Sequence, residues 1–161
     1  MLLGLGVLEA GDAPDSTVIV EPVRDDVRLG KDLAAFDMKT WRIVAKFWNQ
    51  PETSLDMVND HIAEHEERVL GVLRSFGVTE CRLDEHGGWI IGNGDAERER
   101  IFIDAYTKRV AKIETIKKGL VEDPVMSRVA LEVVRRERVF RQHICDTIMD
   151  GENTSPESVD S

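Results

Sequence analysis

The chain has 161 residues, 42% of them hydrophobic and 32% charged, and its formal net charge at pH 7 is -10. This length and apolar content suffice for one folded domain with a core, and they differ from those of an intrinsically disordered chain. No apolar run approaches the roughly 20 residues of a membrane-spanning helix. Residues 1–8 lack the basic start and the cleavage site of a signal peptide. With two cysteines only, we expect reduced thiols and a cytoplasmic protein.

The negative charge is unevenly distributed along the chain. Residues 1–37 carry eight acidic and three basic side chains, and residues 150–161 carry four acidic side chains and no basic one. Residues 98–141 carry twelve basic and seven acidic side chains, a net charge of +5. Because phosphate contacts need only a local basic surface, the acidic composition of the whole chain does not exclude a nucleic-acid partner.

The N-terminal residues 1–35 are acidic and show little apolar periodicity. Their strand-like run, Thr17–Val20, lies between two prolines. We therefore expect residues 1–35 to form an acidic, largely flexible arm. A first helix is predicted over Met38–Asn49, and Pro51 is expected to end it because proline breaks a helix interior.

The stretch from Thr53 to Gly77 predicts one long amphipathic helix. Its apolar side chains recur at helical spacing, and they are Leu55, Val58, Ile62, Val69, Leu73 and Phe76. Because the apolar phase is uninterrupted, we predict a single helix over Ser54–Phe76, capped by Thr53 and ended by Gly77. Two short apolar segments around a polar turn then predict a β-hairpin over 80–91 that lies on the helices, since an isolated ribbon is marginally stable.

Two further helices are predicted after the hairpin. Asp95 opens a third helix that runs to about Lys118 and stops at Gly119. Asp123, followed by proline, starts a long fourth helix that ends at Gly151. The predicted fold is a mainly α single domain of antiparallel helices with one short β-hairpin and a long C-terminal helix. Its parts are the arm over 1–35, a helical core over 36–120, a basic amphipathic helix over 121–150 and a disordered acidic tail over 151–161.

Basic side chains of the last two helices are the candidate DNA-binding residues, because phosphate contacts need Lys and Arg. They are Lys117, Lys118, Arg128, Arg135, Arg136, Arg138 and Arg141. A different interpretation makes the arginines a solvated face, since several form i,i+4 pairs with glutamates.

Three aromatic residues of the first helix, Trp41, Phe47 and Trp48, form the candidate oligomer interface. Their apolar surface exceeds what one short helix of a small domain readily buries, so we expect a partner chain to cover part of it. The alternative is that these aromatic side chains belong to the core of the domain.

Residues 61–65 match the H-x-x-E-H pattern of a class of zinc hydrolases. On a helix, His61 and His65 can share one metal, and Glu64 can act as a base. The pattern is short, however, and His65 occupies the apolar seam of the helix, which suits a half-buried, hydrogen-bonded histidine. We therefore reject a metal site there, and we expect no cofactor, no catalytic residue and no enzymatic activity.

One DNA-binding interpretation of the central stretch is a winged helix. It would use Ser54–Ala63 and His65–Phe76 as a helix-turn-helix and Cys81–Ile91 as the wing. The continuous apolar phase argues against it, because a turn between two helices normally resets that phase.

A second interpretation is a resemblance. Several features follow one another in a fixed order along the chain. They are Trp41, Asp56, Gly77, the Gly-Gly turn, Asn93, a helix ending at Gly119-Leu120, Pro124 and Ser127-Arg128. This order, over residues 38–130, resembles a family of tailed-phage terminase small subunits. The family closes with Gly-Leu-Thr-Pro-x-Ser-Arg, whereas this chain has three extra residues before its proline.

The resemblance implies a non-enzymatic, ring-forming subunit in the host cytoplasm. Such a subunit would recognise double-stranded viral DNA during genome packaging and regulate a large terminase subunit. Two alternatives stay open: a winged-helix transcriptional regulator, and an acidic virion or scaffold protein that does not bind DNA.

Overall fold

The computed structural model describes residues 24–153, so residues 1–23 and 154–161 lie outside the described part. Its elements, in chain order, are α1 Asp25–Lys46, α2 Pro51–Phe76, β1 Glu80–Leu83, β2 Trp89–Gly92, α3 Ala96–Val121 and α4 Pro124–Asn153. This confirms the predicted mainly α fold with one short hairpin and a long C-terminal helix. Within the described range, no helix has the length and apolar character needed to cross a membrane.

Helix α1 begins at Asp25, so the predicted start at Met38 is wrong. The last third of the predicted arm, residues 25–35, is therefore helical, and residues 1–23 of that arm lie outside the described residues. Leu29 and Leu33 lie four residues apart and are buried in the core. The acidic side chains of the first turn lie where the helix dipole favours negative charge. These acidic residues obscured the apolar periodicity in the sequence.

Helix α2 runs without a break from Pro51 to Phe76, which confirms the single long helix. Pro51 is the first residue of α2, a position where proline is well tolerated. The predictions that Pro51 ends α1 and that Thr53 caps α2 are therefore wrong, because α1 ends at Lys46 and Thr53 lies inside α2. Gly77 ends the helix with φ of 81°, and its N–H bonds to the carbonyl of Leu73. The continuous helix contains no turn of the kind that a helix-turn-helix requires, so the winged-helix interpretation is wrong.

Asp95 opens α3 as predicted and caps it, and the predicted cap at Asp123 is confirmed. The Asp95 carboxylate accepts hydrogen bonds from the backbone N–H groups of Glu97 and Arg98 at the start of α3. The Asp123 carboxylate accepts two such bonds, of 2.9 and 3.0 Å, at the start of α4. Gly119 and Gly151 were predicted to end these helices, but α3 continues to Val121 and α4 continues to Asn153. A glycine inside a helix costs only about 1 kcal/mol relative to alanine, which packing readily offsets.

The hairpin packs against α4 and contributes side chains to the core. Its strands are antiparallel, with Cys81 opposite Ile91, and both side chains belong to the same buried cluster as Ile144. Cys81 and Cys145 are free and buried. A hydrogen bond with Cys145, together with burial, raises the pKa of the Cys81 thiol, so this thiol stays protonated at neutral pH. The predicted ribbon thus lies on the helices, as its marginal stability requires.

Candidate nucleic-acid interface

The candidate arginines of α4 do not share one face of the helix. Each residue of a helix advances by about 100°, so Arg128, Arg135 and Arg138 lie within about 80° of one another. All three are exposed. Arg141 lies about 60° beyond Arg138 and about 140° from Arg128, and its side chain is largely buried. We call the surface of Arg128, Arg135 and Arg138 the basic face of α4.

Arg136 lies at the edge of the basic face and is engaged in contacts between helices. Its Nε lies 3.2 Å from Glu132 Oε2, and its Nη1 donates to Asn59 Oδ1 of α2 at 2.7 Å. Arg135 Nη1 lies 3.3 Å from the other oxygen of Glu132. The hydrogen bond from Arg136, followed by that from Arg135, lowers the pKa of Glu132. Arg136 therefore links α4 to α2 through its hydrogen bond to Asn59.

Arg141 was predicted to contact DNA, and the structure shows that this is wrong. Its side chain is only 15% exposed, and Nη2 lies 3.2 Å from the buried carboxylate of Asp37 on α1. Nη1 donates a hydrogen bond of 2.9 Å to the carbonyl oxygen of Gly87, at the tip of the hairpin. Arg141 therefore joins α4 to α1 and to the hairpin. Sequence alone showed only its i,i+4 neighbour Glu137, which made it resemble a surface residue.

The buried charge cluster around Arg141 contains two carboxylates. The Tyr106 hydroxyl donates to Asp37, and the indole N–H of Trp41 donates to Glu137 at 2.9 Å. Burial is the main reason why the pKa values of Glu137 and Tyr106 are raised. Both carboxylates thus accept a hydrogen bond and share the guanidinium group of Arg141. Because every charge of this cluster has a partner inside the protein, we assign the cluster a structural role.

Trp41 was predicted to lie at an oligomer interface, and this is wrong because it is 1% exposed and belongs to the core. Lys117 Nζ lies 4.8 Å from the centroid of its ring, a cation–π contact. Phe47 is half-buried, and Trp48 is 41% exposed at the connection between α1 and α2. Of the predicted aromatic patch, only Trp48 and part of Phe47 are available to a partner.

The structure brings Lys117 of α3 and Arg128 of α4 to one groove of about 420 Å³. Lys118 is exposed on α3 beside Lys117. The groove is otherwise mainly apolar, and Leu131 on its wall is 55% exposed. Val139, which is 70% exposed, also lies on the basic face of α4. These apolar side chains among the arginines escaped the sequence-based prediction, although the spacing 128, 131, 135, 138 and 139 places them on one helical face.

The histidines of the rejected zinc motif make hydrogen bonds with the backbone. His65 is half-buried and its Nδ1 lies 2.9 Å from the carbonyl oxygen of His61, as predicted for the apolar seam. His61 is the more buried of the two, a difference that the sequence did not indicate. Glu64 is exposed. No group of three His, Cys, Asp or Glu side chains within residues 24–153 has the arrangement of a metal site.

Comparison of this chain with protein-family models, with curated proteins and with solved structures finds no match.

Proposed function

We propose that this chain is the DNA-recognising, regulatory small subunit of a viral DNA-packaging terminase, and that it acts as a ring of identical subunits without enzymatic activity. The order of motifs over residues 38–130 supports this proposal. The order of the elements supports it as well, because the family that the sequence resembles has two helices, a small ribbon and a further helix.

The observation that carries the proposal is the basic face of α4. Arg128 and Arg138 lie ten residues apart, which corresponds to about 15 Å along the helix axis. Within residues 24–153, neither of these two arginines forms a salt bridge. Arg138 lies beside the hairpin turn, where its charge helps to lower the pKa of Asp84, so the charge of Arg128 is the more available to a partner. A single copy offers few phosphate contacts, whereas a ring repeats the basic face and gains affinity through multivalency.

The basic face can be tested by measuring the affinity for fluorescently labelled duplex DNA over a series of salt concentrations. The test variant replaces Arg128, Arg135 and Arg138 by Gln. We expect a loss of affinity and a decrease of about 2–3 in the slope of log K against log salt, because each phosphate contact contributes about 0.9.

A matched control removes the same charge elsewhere. It replaces the exposed arginines of α1, α2 and α3, namely Arg42, Arg74 and Arg100, by Gln. We expect this control to keep the salt slope of the wild type. Equal slopes for the two triple variants would contradict a DNA-binding basic face. Light scattering that shows only monomers, with and without DNA, would contradict the ring.

The alternative of a scaffold or virion protein that does not bind DNA is favoured by one observation. Leu131 and Val139 expose apolar surface between the arginines, and arginine with apolar residues is a common composition of protein–protein interfaces. Self-association of the wild type with no DNA binding at any salt concentration would favour this alternative over the terminase subunit.

A further inference from the structure

A cavity of about 210 Å³ lies between α1 and α2, away from the basic face of α4. Residues at positions 32, 35, 36 and 39 of α1 and at positions 61, 65, 68, 69 and 72 of α2 line it. The apolar part of the lining includes Phe36, Val69 and Val72, all of which are buried. The polar part includes two histidines, two basic side chains and one carboxylate. The cavity therefore combines an apolar floor with groups that can recognise a polar ligand.

His61 has one ring nitrogen without a partner. The residue is 3% exposed, and its ring stacks on Phe36 with 4.2 Å between the centroids. Its Nε2 lies 3.0 Å from the carbonyl oxygen of Phe36. A carbonyl only accepts, so Nε2 carries the proton and Nδ1 is left with its lone pair in the neutral ring. Nδ1 is buried and has no hydrogen-bond partner among the described residues.

The neutral form of His61 dominates at neutral pH because burial lowers the pKa of the imidazole, and the nearby His65 and Lys39 lower it further. A buried acceptor without a donor costs free energy, and such a group in a native structure calls for an explanation. A ligand in the cavity that donates an O–H or N–H group to Nδ1 would supply the missing bond.

The charged residues of the cavity leave one positive charge free. Asp32 is shared by two guanidinium groups, at 3.6 Å from Arg28 and 3.5 Å from Arg68. Lys39 is exposed at the edge of the cavity and forms no ion pair with any residue in the range 24–153. Lys39 is thus placed to attract an anionic group of a ligand. The two guanidinium groups offset the charge of Asp32, although its Oδ2 atom is buried without a hydrogen-bond partner among the described residues.

We propose that this cavity binds a small organic acid that also carries a hydroxyl or N–H group. The acid group pairs with Lys39, the hydroxyl or N–H donates to His61 Nδ1, and the apolar body lies against Phe36, Val69 and Val72. The volume of the cavity suits a ligand of about ten non-hydrogen atoms, for which we expect a dissociation constant in the millimolar range. The site does not depend on the proposed binding of DNA.

Three probe compounds separate the two polar interactions. 4-Hydroxybenzoate carries the hydroxyl and the acid, benzoate lacks the hydroxyl, and phenol lacks the acid. NMR titration of the full chain, followed through the ring signals of His61, measures each affinity. We expect 4-hydroxybenzoate to bind about tenfold more tightly than benzoate or phenol, because each of those two lacks one charged or buried hydrogen bond.

Two variants test the named residues, and a third is the control. Lys39→Met should weaken the binding of 4-hydroxybenzoate and of benzoate by about tenfold and leave the affinity for phenol unchanged. His61→Phe keeps an aromatic ring against Phe36. We expect this variant to bind 4-hydroxybenzoate only as tightly as it binds benzoate. NMR signals of Val69 and Val72 measure both affinities. Lys112→Met changes an exposed lysine of α3 and should change none of the three affinities.

Three results would overturn the proposal. The first is the absence of saturable binding for all three probes up to their solubility. The second is an equal effect of Lys39→Met and Lys112→Met, which would leave only general electrostatic attraction. The third is a crystal soaked in 4-hydroxybenzoate that shows a single ordered water on His61 Nδ1 and no probe. Lys39→Met alters an exposed side chain, so its result does not depend on whether His61→Phe folds.

Discussion

Gly30 of α1 lies so close to Ala105 of α3 that a β-carbon added to Gly30 would be 2.7 Å from the Ala105 β-carbon. The added carbon would also lie 2.8 Å from the backbone carbonyl oxygen of Phe102. Real β-carbons do not approach other atoms this closely, so α1 and α3 must move apart to accept any side chain at position 30. The glycine thus sets the distance between the first and third helices.

We predict that Gly30→Ala lowers the free energy of unfolding by about 1–3 kcal/mol, because overpacking forces the backbone to shift. Gly71→Ala is the matched control, since Gly71 lies on the exposed side of α2 with no atom within 4 Å of an added β-carbon. That substitution should raise the free energy of unfolding by about 0.5–1 kcal/mol. Urea denaturation measures the free energy of unfolding of both variants. A stabilising effect of Gly30→Ala would contradict the close approach of α1 to α3.

A second prediction concerns the buried salt bridge. Arg141→Met leaves the carboxylates of Asp37 and Glu137 without their shared guanidinium, and it should cost about 3–5 kcal/mol of stability. Arg128→Met, on the exposed basic face, should change stability by no more than about 0.5 kcal/mol. Adding Asp37→Asn to Arg141→Met should cost less than the sum of the single changes, because the two residues interact directly. Strict additivity of the two changes would exclude that interaction.

A third prediction is a pH dependence caused by Glu137. Burial raises its pKa in the folded state, so the folded protein binds this proton more tightly than the unfolded chain does. Stability from this residue is therefore greatest below the ordinary glutamate pKa of about 4.3 and declines as the pH rises through the raised value. Glu137→Gln should remove that decline and keep an acceptor for the Trp41 indole.

Glu132 provides the opposite case within the same helix. Its pKa is lowered by hydrogen bonds from Arg136 and Arg135, so its contribution to stability is present above the unfolded pKa. That contribution is lost as the pH falls through the lowered value. Glu132→Gln should therefore change the slope of stability against pH in the opposite direction to Glu137→Gln. Equal slopes for the two variants, measured by urea denaturation over a pH series, would contradict the assigned shifts.

A fourth prediction concerns the surface that joins the subunits of the proposed ring. Leu131→Gln combined with Val139→Gln should shift the protein toward the monomer in light scattering, because both side chains are mostly exposed and lie on one helical face. Stability should change little for the same reason. Ile103→Gln, which changes a 44% exposed side chain of α3, is the control and should leave the assembly intact.

The side chain of Trp48 is the other candidate for the surface that joins the subunits of the proposed ring. It is the most exposed residue of the aromatic patch that the sequence suggested. If Trp48→Gln alone produces monomers while the α4 double variant stays assembled, the interface lies at the connection between α1 and α2.

Local sequence signals predicted much of this fold. Three features depend only on neighbouring residues, so a short stretch of sequence predicts each of them. They are the uninterrupted apolar phase of α2, the helix starts at Asp95 and Asp123, and the turn of the hairpin. The start of α1 was missed because the acidic side chains of its first turn precede its few apolar positions, Leu29 and Leu33.

The candidate site was harder to predict because it depends on contacts between distant segments. Arg141 and Arg138 are alike in sequence, yet only Arg141 meets a carboxylate of α1. Trp41 was assigned to the surface because its buried neighbours on α3 and α4 are more than 70 residues away in the chain. Burial of His61 rather than His65 likewise follows from α1, which packs Phe36 on its ring.

The salt bridge between Arg141 and Asp37 also has a consequence for the folding pathway. It joins positions 104 residues apart, and the entropy lost on closing a loop grows with its length. Contacts between α1 and α2 and within the hairpin close far shorter loops, so they are expected to form earlier. Both charges then stay hydrated until α4 docks. We therefore expect Arg141→Met to accelerate unfolding and to leave the folding rate nearly unchanged, as for an interaction that forms after the rate-limiting step.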